Sequence, residues 1–235
     1  DTSSSDFTEI IARAVRVNAG LWARQLHVAA GTSLVDAATL DTTPLASPTP
    51  APALAIDVAS LGGMYARKIS LVATEAGMGV RNAGTLGASV GEFVVTAAGR
   101  LENTGALTAA DALHLSASAL RNGGTLYAQR DVHVSADGPV ENSGVIASAT
   151  TTRIDAASFT GTPGSLVAAG LDPDGHLGTT GDLTLSTAQS LTSAGQLLTG
   201  GDQRLRAARI DLGNSQLSGR SLSLTADAAD LTLSG

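Results

Sequence analysis

Val80-Arg81-Asn82-Ala83-Gly84-Thr85-Leu86 is a phrase that returns three times, as Leu101-Glu102-Asn103-Thr104-Gly105-Ala106-Leu107, Leu120-Arg121-Asn122-Gly123-Gly124-Thr125-Leu126 and Val140-Glu141-Asn142-Ser143-Gly144-Val145-Ile146. The asparagines are 21, 19 and 20 residues apart. A unit of about 20 residues cannot bury its own apolar face and must stack on its neighbours, so the repeat predicts a solenoid rather than a globule.

Each phrase is followed by a second apolar pair in alternation: Phe93 and Val95, Leu113 and Leu115, Val132 and Val134. The same alternation marks Leu183 and Leu185, Leu222 and Leu224, and Leu231 and Leu233. Period two over short segments marks half-buried strands, so each repeat holds at least two strands separated by corners bearing Gly and Asn. Small and β-branched residues dominate, and no segment sustains a helical period. The reading is all-β: a parallel β-helix, one elongated body over residues 1–235. At about 4.8 Å per rung, some ten rungs make a rod of roughly 50 Å. Asn82, Asn103, Asn122 and Asn142 are expected to form a ladder in left-handed corner conformations. Gly84, Gly105, Gly124 and Gly144 are expected where a Cβ would be opposed. Upstream, Val15, Val17, Leu26 and Val28 alternate and Asn18 with Gly20 repeats the phrase, so the coil begins near Ile10. Asp6 and Glu9 have capping-box spacing for a short helix there, but a strand is preferred.

The composition agrees: 43% hydrophobic residues with only 3% aromatic suit a narrow, evenly layered interior. A net charge of −7 without a Lys/Arg cluster excludes a phosphate-tracking surface, so nucleic acid is not an expected partner. The absence of cysteine excludes a disulfide scaffold and thiol chemistry. No apolar run approaches the roughly 20 residues of a spanning helix, and the polar start, Asp1 to Asp6, has no signal-peptide core, which is the pattern of a soluble piece whose targeting signal lies elsewhere.

Two stretches break the repeat. Asp41 to Ala53 holds Pro44, Pro48, Pro50 and Pro52; proline cannot donate to a ladder, so an exposed excursion over 41–53 is expected. Gly161 to Gly181 lengthens one repeat and is expected to be an insertion loop. Loops are where such rods carry recognition.

Leu54-Ala-Ile-Asp-Val-Ala-Ser-Leu-Gly-Gly-Met-Tyr-Ala-Arg-Lys-Ile-Ser-Leu-Val-Ala-Thr-Glu-Ala-Gly-Met-Gly-Val-Arg-Asn-Ala-Gly-Thr-Leu-Gly-Ala88 closely resembles a stretch of the filamentous haemagglutinin family, the large exoproteins of bacterial two-partner secretion. Ile56-Asp57, Gly62 to Tyr65, Ile69 to Leu71, Thr74 and Gly77 to Asn82 carry the likeness. Asn18-Ala-Gly-Leu-Trp22-Ala and the later Asn-x-Gly-x-Leu phrases look like the same family. The resemblance implies a right-handed parallel β-helix, secreted by an outer-membrane partner transporter and displayed as a stalk of an adhesin or contact-dependent growth-inhibition exoprotein. It also implies a host or neighbouring-cell receptor or glycan as the far partner. The family's secretion domain carries Asn-Pro motifs and this chain has no Asn-Pro, so it is expected to cover the end of that domain plus the first stalk repeats.

Candidate chemistry is sparse. His114 and His133 fall at the same place in their repeats and point outward, near enough to share a metal, but further ligands are lacking in sequence. Asp172-Pro173-Asp174-Gly175-His176 has oxygen ligands at short spacing without an EF-hand register and reads as a turn. Glu75, Glu92, Glu102, Asp111, Glu141 and Asp155 are scattered, and Arg121 lies between Glu102 and Glu141 as in a solvated ladder. No catalytic, cofactor or metal residue is therefore assigned, and the expected function is a non-enzymatic, monomeric stalk. The alternatives are a carbohydrate-active β-helix enzyme using clustered carboxylates, and a glycan- or receptor-binding module acting through the two excursions.

Overall fold

The computed structural model describes residues 6–36, 38–47 and 49–233. Among these residues there is no helix: the chain winds as a parallel β-helix in which every turn lays down three strands. The first face begins with Thr8–Ala12, Gln25–Ala30 and Lys68–Ala73 and continues through the front halves of Phe93–Asn103 and Leu113–Asn122. It goes on through Asp131–Ala136, Thr151–Ala156, Leu183–Thr187 and the front halves of Asp202–Asp211 and Ser221–Thr232. The second face stacks Val15–Val17, Leu54–Val58 and Gly79–Asn82 on the back halves of the long strands, with Pro139–Asn142, Ser158–Gly161 and Ser190–Ser193 between them. The third runs from Gly20–Trp22 and Gly63–Ala66 through Thr85–Ala88, Ala106–Ala109 and Thr125–Ala128 to Gln216–Ser218. This third strand is the Thr-Leu end of the repeated phrase itself. At the start, Thr8–Ala12 is a strand and not a helix.

Register turns the alternation into columns. Ile69, Phe93, Leu113 and Val132 stack on the first face, as do Leu71, Val95, Leu115 and Val134. Val80, Leu101, Leu120 and Val140 stack on the second, and Met64, Leu86, Leu107, Leu126 and Ile146 on the third. All are buried. Their side chains fill the space between three sheets, where a ring at every level would not fit; Phe93 and Phe159 are the fully buried rings.

The asparagines form the ladder, but not in left-handed corners. Each ends a second-face strand with its side chain turned inward, and Leu40 is the one described non-glycine residue with positive φ. Asn82 Nδ2 donates to Asn103 Oδ1, Asn103 to Asn122 and Asn122 to Asn142, each at 2.8 Å. A buried amide can both donate and accept along the stack, so ladder geometry satisfies it without a special backbone. Asn18 lies one residue beyond its register, after Val17, and is exposed. The glycines two residues on are required by close approach: a Cβ on Gly105 would stand 2.0 Å from the carbonyl oxygen of Gly84, and one on Gly124 2.0 Å from that of Gly105.

The chain leaves the coil twice. Between Ala30 and Leu54 it forms a small antiparallel pair, Ser33–Val35 with Thr42–Pro44, so this excursion starts at Gly31 rather than Asp41; Pro48 lies outside the described residues. Between Ala169 and Leu183 it forms a turn bridged by Leu171 and Leu177. Of the stretch from Gly161 to Gly181, Gly161 closes a second-face strand and Leu166–Ala169 is a third-face strand, which leaves the insertion beyond Ala169.

Leu115 is 3% exposed while its neighbour His114 points outward. Leu115→Asp is expected to lose roughly 3–5 kcal/mol, the scale for a buried unpaired charge, and His114→Ala less than about 0.5 kcal/mol. Asn103→Leu strips Asn122 Oδ1 of its donor and is expected to cost about 1–3 kcal/mol. Urea unfolding monitored by circular dichroism measures all three; equal midpoints for the Leu115 and His114 variants would refute the register.

Candidate functional sites

The outward positions of the second face make a column of alternating charge. Arg16 opposes Asp57, Asp57 opposes Arg81, Arg81 opposes Glu102, Glu102 opposes Arg121 and Arg121 opposes Glu141. Like charges at one-rung spacing would repel, and alternation removes that penalty. The tightest link is Asp57, held by Arg81 through two bonds of 2.8 and 2.9 Å and by Arg16 at 3.3 Å. The Arg81 bonds chiefly hold its carboxyl below the usual range. Further on, the Arg121–Glu141 contact is 3.8 Å between exposed groups. Glu102 and Glu141 are thus kept apart by an arginine, and Asp111 stands elsewhere against Arg130 at 2.8 Å.

His114 and His133 are register partners with ring centroids 6.2 Å apart, edge to face. His133 Nε2 lies 3.3 Å from Asp155, whose carboxylate Arg153 already engages at 2.6 and 2.9 Å. Asp172 spends its Oδ1 on the backbone N–H groups of Asp174 and His176, at 3.0 and 2.8 Å, a turn made by its own side chain. The His176 N–H first, and then the His176 ring, hold that carboxyl below its usual value. Among the described residues no group of three or more His, Asp or Glu stands in metal-holding geometry.

One feature escapes sequence inspection. The residue after each third-face apolar position points outward, and register aligns Trp22, Tyr65, Gly87, Thr108 and Tyr127. Trp22 and Tyr65 stack, with centroids 5.7 Å apart and planes 21° from parallel, although they are 52% and 37% exposed. Their rings lean back over glycines: a Cβ on Gly20 would stand 2.2 Å from the Trp22 ring and one on Gly63 2.8 Å from the Tyr65 ring. Beyond them lies a groove of about 550 Å³, floored by Gly87 and Thr108 and rimmed by Arg24, Arg67, Ser89 and Gln129. Tyr127 closes it, its hydroxyl donating at 3.0 Å to the carbonyl of Leu171 in the second excursion. Trp22 and Tyr65 are 43 residues apart with the first excursion between them, so only the coil's register brings them together; aligning the residue after each Leu or Met of the phrase would have found the column.

Comparison with known proteins matches residues 1–103 to the TPS secretion domain and residues 97–172 and 152–235 to the haemagglutinin repeat. The chain belongs to the filamentous haemagglutinin family of two-partner secretion exoproteins. It is 40% identical over its whole length to Toxin CdiA of Yersinia pestis and 38% identical to tRNA nuclease CdiA-2 of Burkholderia pseudomallei, spanning 7% and 8% of those proteins. Over 46% of its length it is 44% identical to tRNA nuclease CdiA of an Escherichia coli strain, of which it spans 3%. No solved structure matches it.

In this haemagglutinin coil the first excursion is fastened to the rungs. Arg13 donates to Glu75 at 2.9 Å and to the carbonyls of Thr49 and Pro50 at 2.9 and 3.0 Å. Thr39 to Thr42 lie over the first face beside His27, which is 4% exposed and whose Nε2 has no partner among the described residues. Burial holds the His27 pKa down, only partly opposed by Glu9, its register neighbour. The unfolded chain takes up a proton near pH 6.5, while the folded chain resists until lower pH. Stability is therefore expected to fall as pH drops below about 6.5 and to level off once the folded ring titrates. Melting temperatures between pH 7.5 and 5 for the natural chain and His27→Gln check this, and parallel curves for the two would refute it.

Proposed function

We propose that this chain is the export and stalk region of a secreted, surface-displayed exoprotein of the contact-dependent growth-inhibition or adhesin kind. In this reading an outer-membrane partner transporter passes it across the envelope, and the folded coil then serves as a non-enzymatic spacer. The observation that carries the reading is the strand Phe93–Asn103, which spans the junction of the two matched segments: the repeat match begins at residue 97 and the secretion-domain match ends at 103, so both cover residues 97–103 of this strand. This strand pairs with Lys68–Ala73 and Gly79–Asn82 on one side and with Leu113–Asn122 on the other, so the export region hands its register directly to the stalk. Nothing separates the two as hinged bodies, and a rigid spacer needs that continuity.

The carbohydrate-active alternative requires two carboxyls that work together, one of them kept protonated. Asp36, Asp57, Glu75, Asp172 and Asp202 are all held below the ordinary range instead, chiefly by hydrogen bonds from the Thr39 N–H, Arg81, Arg13, the His176 N–H and the Ser221 hydroxyl respectively. The relatives named as nucleases are much longer than this chain, which spans 8% and 3% of two of them.

Two measurements test the reading. The chain is placed behind a general export signal, fused to a reporter and produced with or without the cognate transporter; the reporter is expected outside the cell only when the transporter is present. Purified chain is incubated with neutral and uronic-acid polysaccharides, and no new reducing ends are expected. Turnover that disappears in Glu102→Gln, Asp111→Asn or Glu141→Gln would replace the stalk by an enzyme.

A further inference from the structure

We infer that the third-face groove between Tyr65 and Tyr127 is a binding site for a carboxylated oligosaccharide. The inference is independent of the export reading, since it rests on the groove alone.

The walls come first. Trp22 covers one face of Tyr65, and the next position down the rod is Gly87, so the other face of Tyr65 looks into the groove. Tyr127 stands three rungs from Tyr65, about 14 Å at the usual strand spacing, with Gly87 and Thr108 between them. The slot therefore has aromatic ends and a low floor. Pyranose rings have an apolar C–H face that stacks on such rings, and a short oligosaccharide segment fits between walls of this separation. Both walls are braced before any ligand arrives, Tyr65 by Trp22 and Tyr127 by its bond to Leu171. Braced walls lower the ordering penalty of binding.

The glycine on the floor is not there for the backbone. Gly84, Gly105, Gly124 and Gly144 could not carry a Cβ, which would stand 2.0 to 2.1 Å from a carbonyl oxygen. Gly87 has no positive φ, and its Cβ would meet only the Thr108 hydroxyl at 3.3 Å and Tyr65 Cδ1 at 3.9 Å. A Cβ there would need the Thr108 side chain, and no backbone atom, to give by a few tenths of an ångström, and what a larger residue would remove is the slot.

The rim identifies the ligand's polarity. Ser89, Gln129 and Thr108 supply the hydroxyl and amide groups that bond sugar hydroxyls. Arg24 is taken by Asp6 at 2.5 Å, but Arg67 is exposed and has no carboxylate partner among the described residues, on a chain where nearly every other cation has one. A guanidinium left open beside a sugar-sized slot matches a carboxylate, bidentate and planar.

Trp22 is the chain's single tryptophan, so its fluorescence reports on this groove directly. The full chain is titrated with oligogalacturonate, sialylated oligosaccharides and neutral cello-oligosaccharides, with calorimetry in parallel. The acidic sugars are expected to change the emission saturably. Tyr65→Ala and Gly87→Leu are each expected to weaken binding at least tenfold, about 1.4 kcal/mol, with the Gly87→Leu chain still folded and melting cooperatively. Arg67→Gln is expected to weaken the acidic sugars and leave the neutral ones as they were. No saturable response from any acidic sugar, or full affinity in well-folded Gly87→Leu, overturns the inference. A Trp22 response to the transporter's soluble periplasmic region with none to any sugar also overturns it, and assigns the surface to export.

Discussion

The structure depends on a single constraint: backbone strands stacked in parallel at fixed spacing force residue n of one turn to lie over residue n of the next. Every side chain must therefore be compatible with a near copy of itself directly above and below. Apolar columns meet this condition by van der Waals contact. Polar side chains meet it only if they can donate on one side and accept on the other, and this is why asparagine fills the buried position that ends the second-face strand. Asn82, Asn103, Asn122 and Asn142 are tied by 2.8 Å bonds, and the run stops where register brings Gly161 over Asn142. Aspartate at that level could not continue the chain, because a carboxylate accepts but does not donate.

Charged columns obey the same rule outside. A stack of arginines would repel at every step, so the sequence alternates Arg16, Asp57, Arg81, Glu102, Arg121 and Glu141. Beyond Asp57, which is buried under Arg16 and Arg81, these groups are largely exposed and each pair contributes little to stability. Their larger effect is on register: a slip of one rung would place like charges opposite each other along the whole face.

Sequence made this much legible because repetition exposes whatever recurs in register. The phrase located the asparagine ladder, the corner glycines and the inward set Leu113, Leu115, Val132 and Val134 correctly. It misjudged the asparagine backbone, since left-handed corners and inward-turned strand ends give the same residue preference. It gave at least two strands per repeat without placing a third, and that third strand, Thr85–Ala88 and its equivalents, lies within the phrase itself. The groove was invisible for the opposite reason. Trp22, Tyr65, Gly87, Thr108 and Tyr127 share a register but not a residue type, and a search for likeness passes over a column whose use lies in its differences.

That contrast explains where a rod of this kind can hold a ligand. A column of identical residues is satisfied within itself and offers a partner nothing that its neighbours have not taken. Recognition needs a level where the repeat fails, so that one ring lacks its next ring or one cation its next anion. On the second face the alternation runs unbroken from Arg16 to Glu141, and on the first the excursion covers His27. The third face alone combines an interrupted aromatic column, an open arginine and a wall anchored by the second excursion. The excursions thus serve the rungs as braces, one holding Glu75 through Arg13 and the other holding Tyr127, and the specific surface lies on the coil between them.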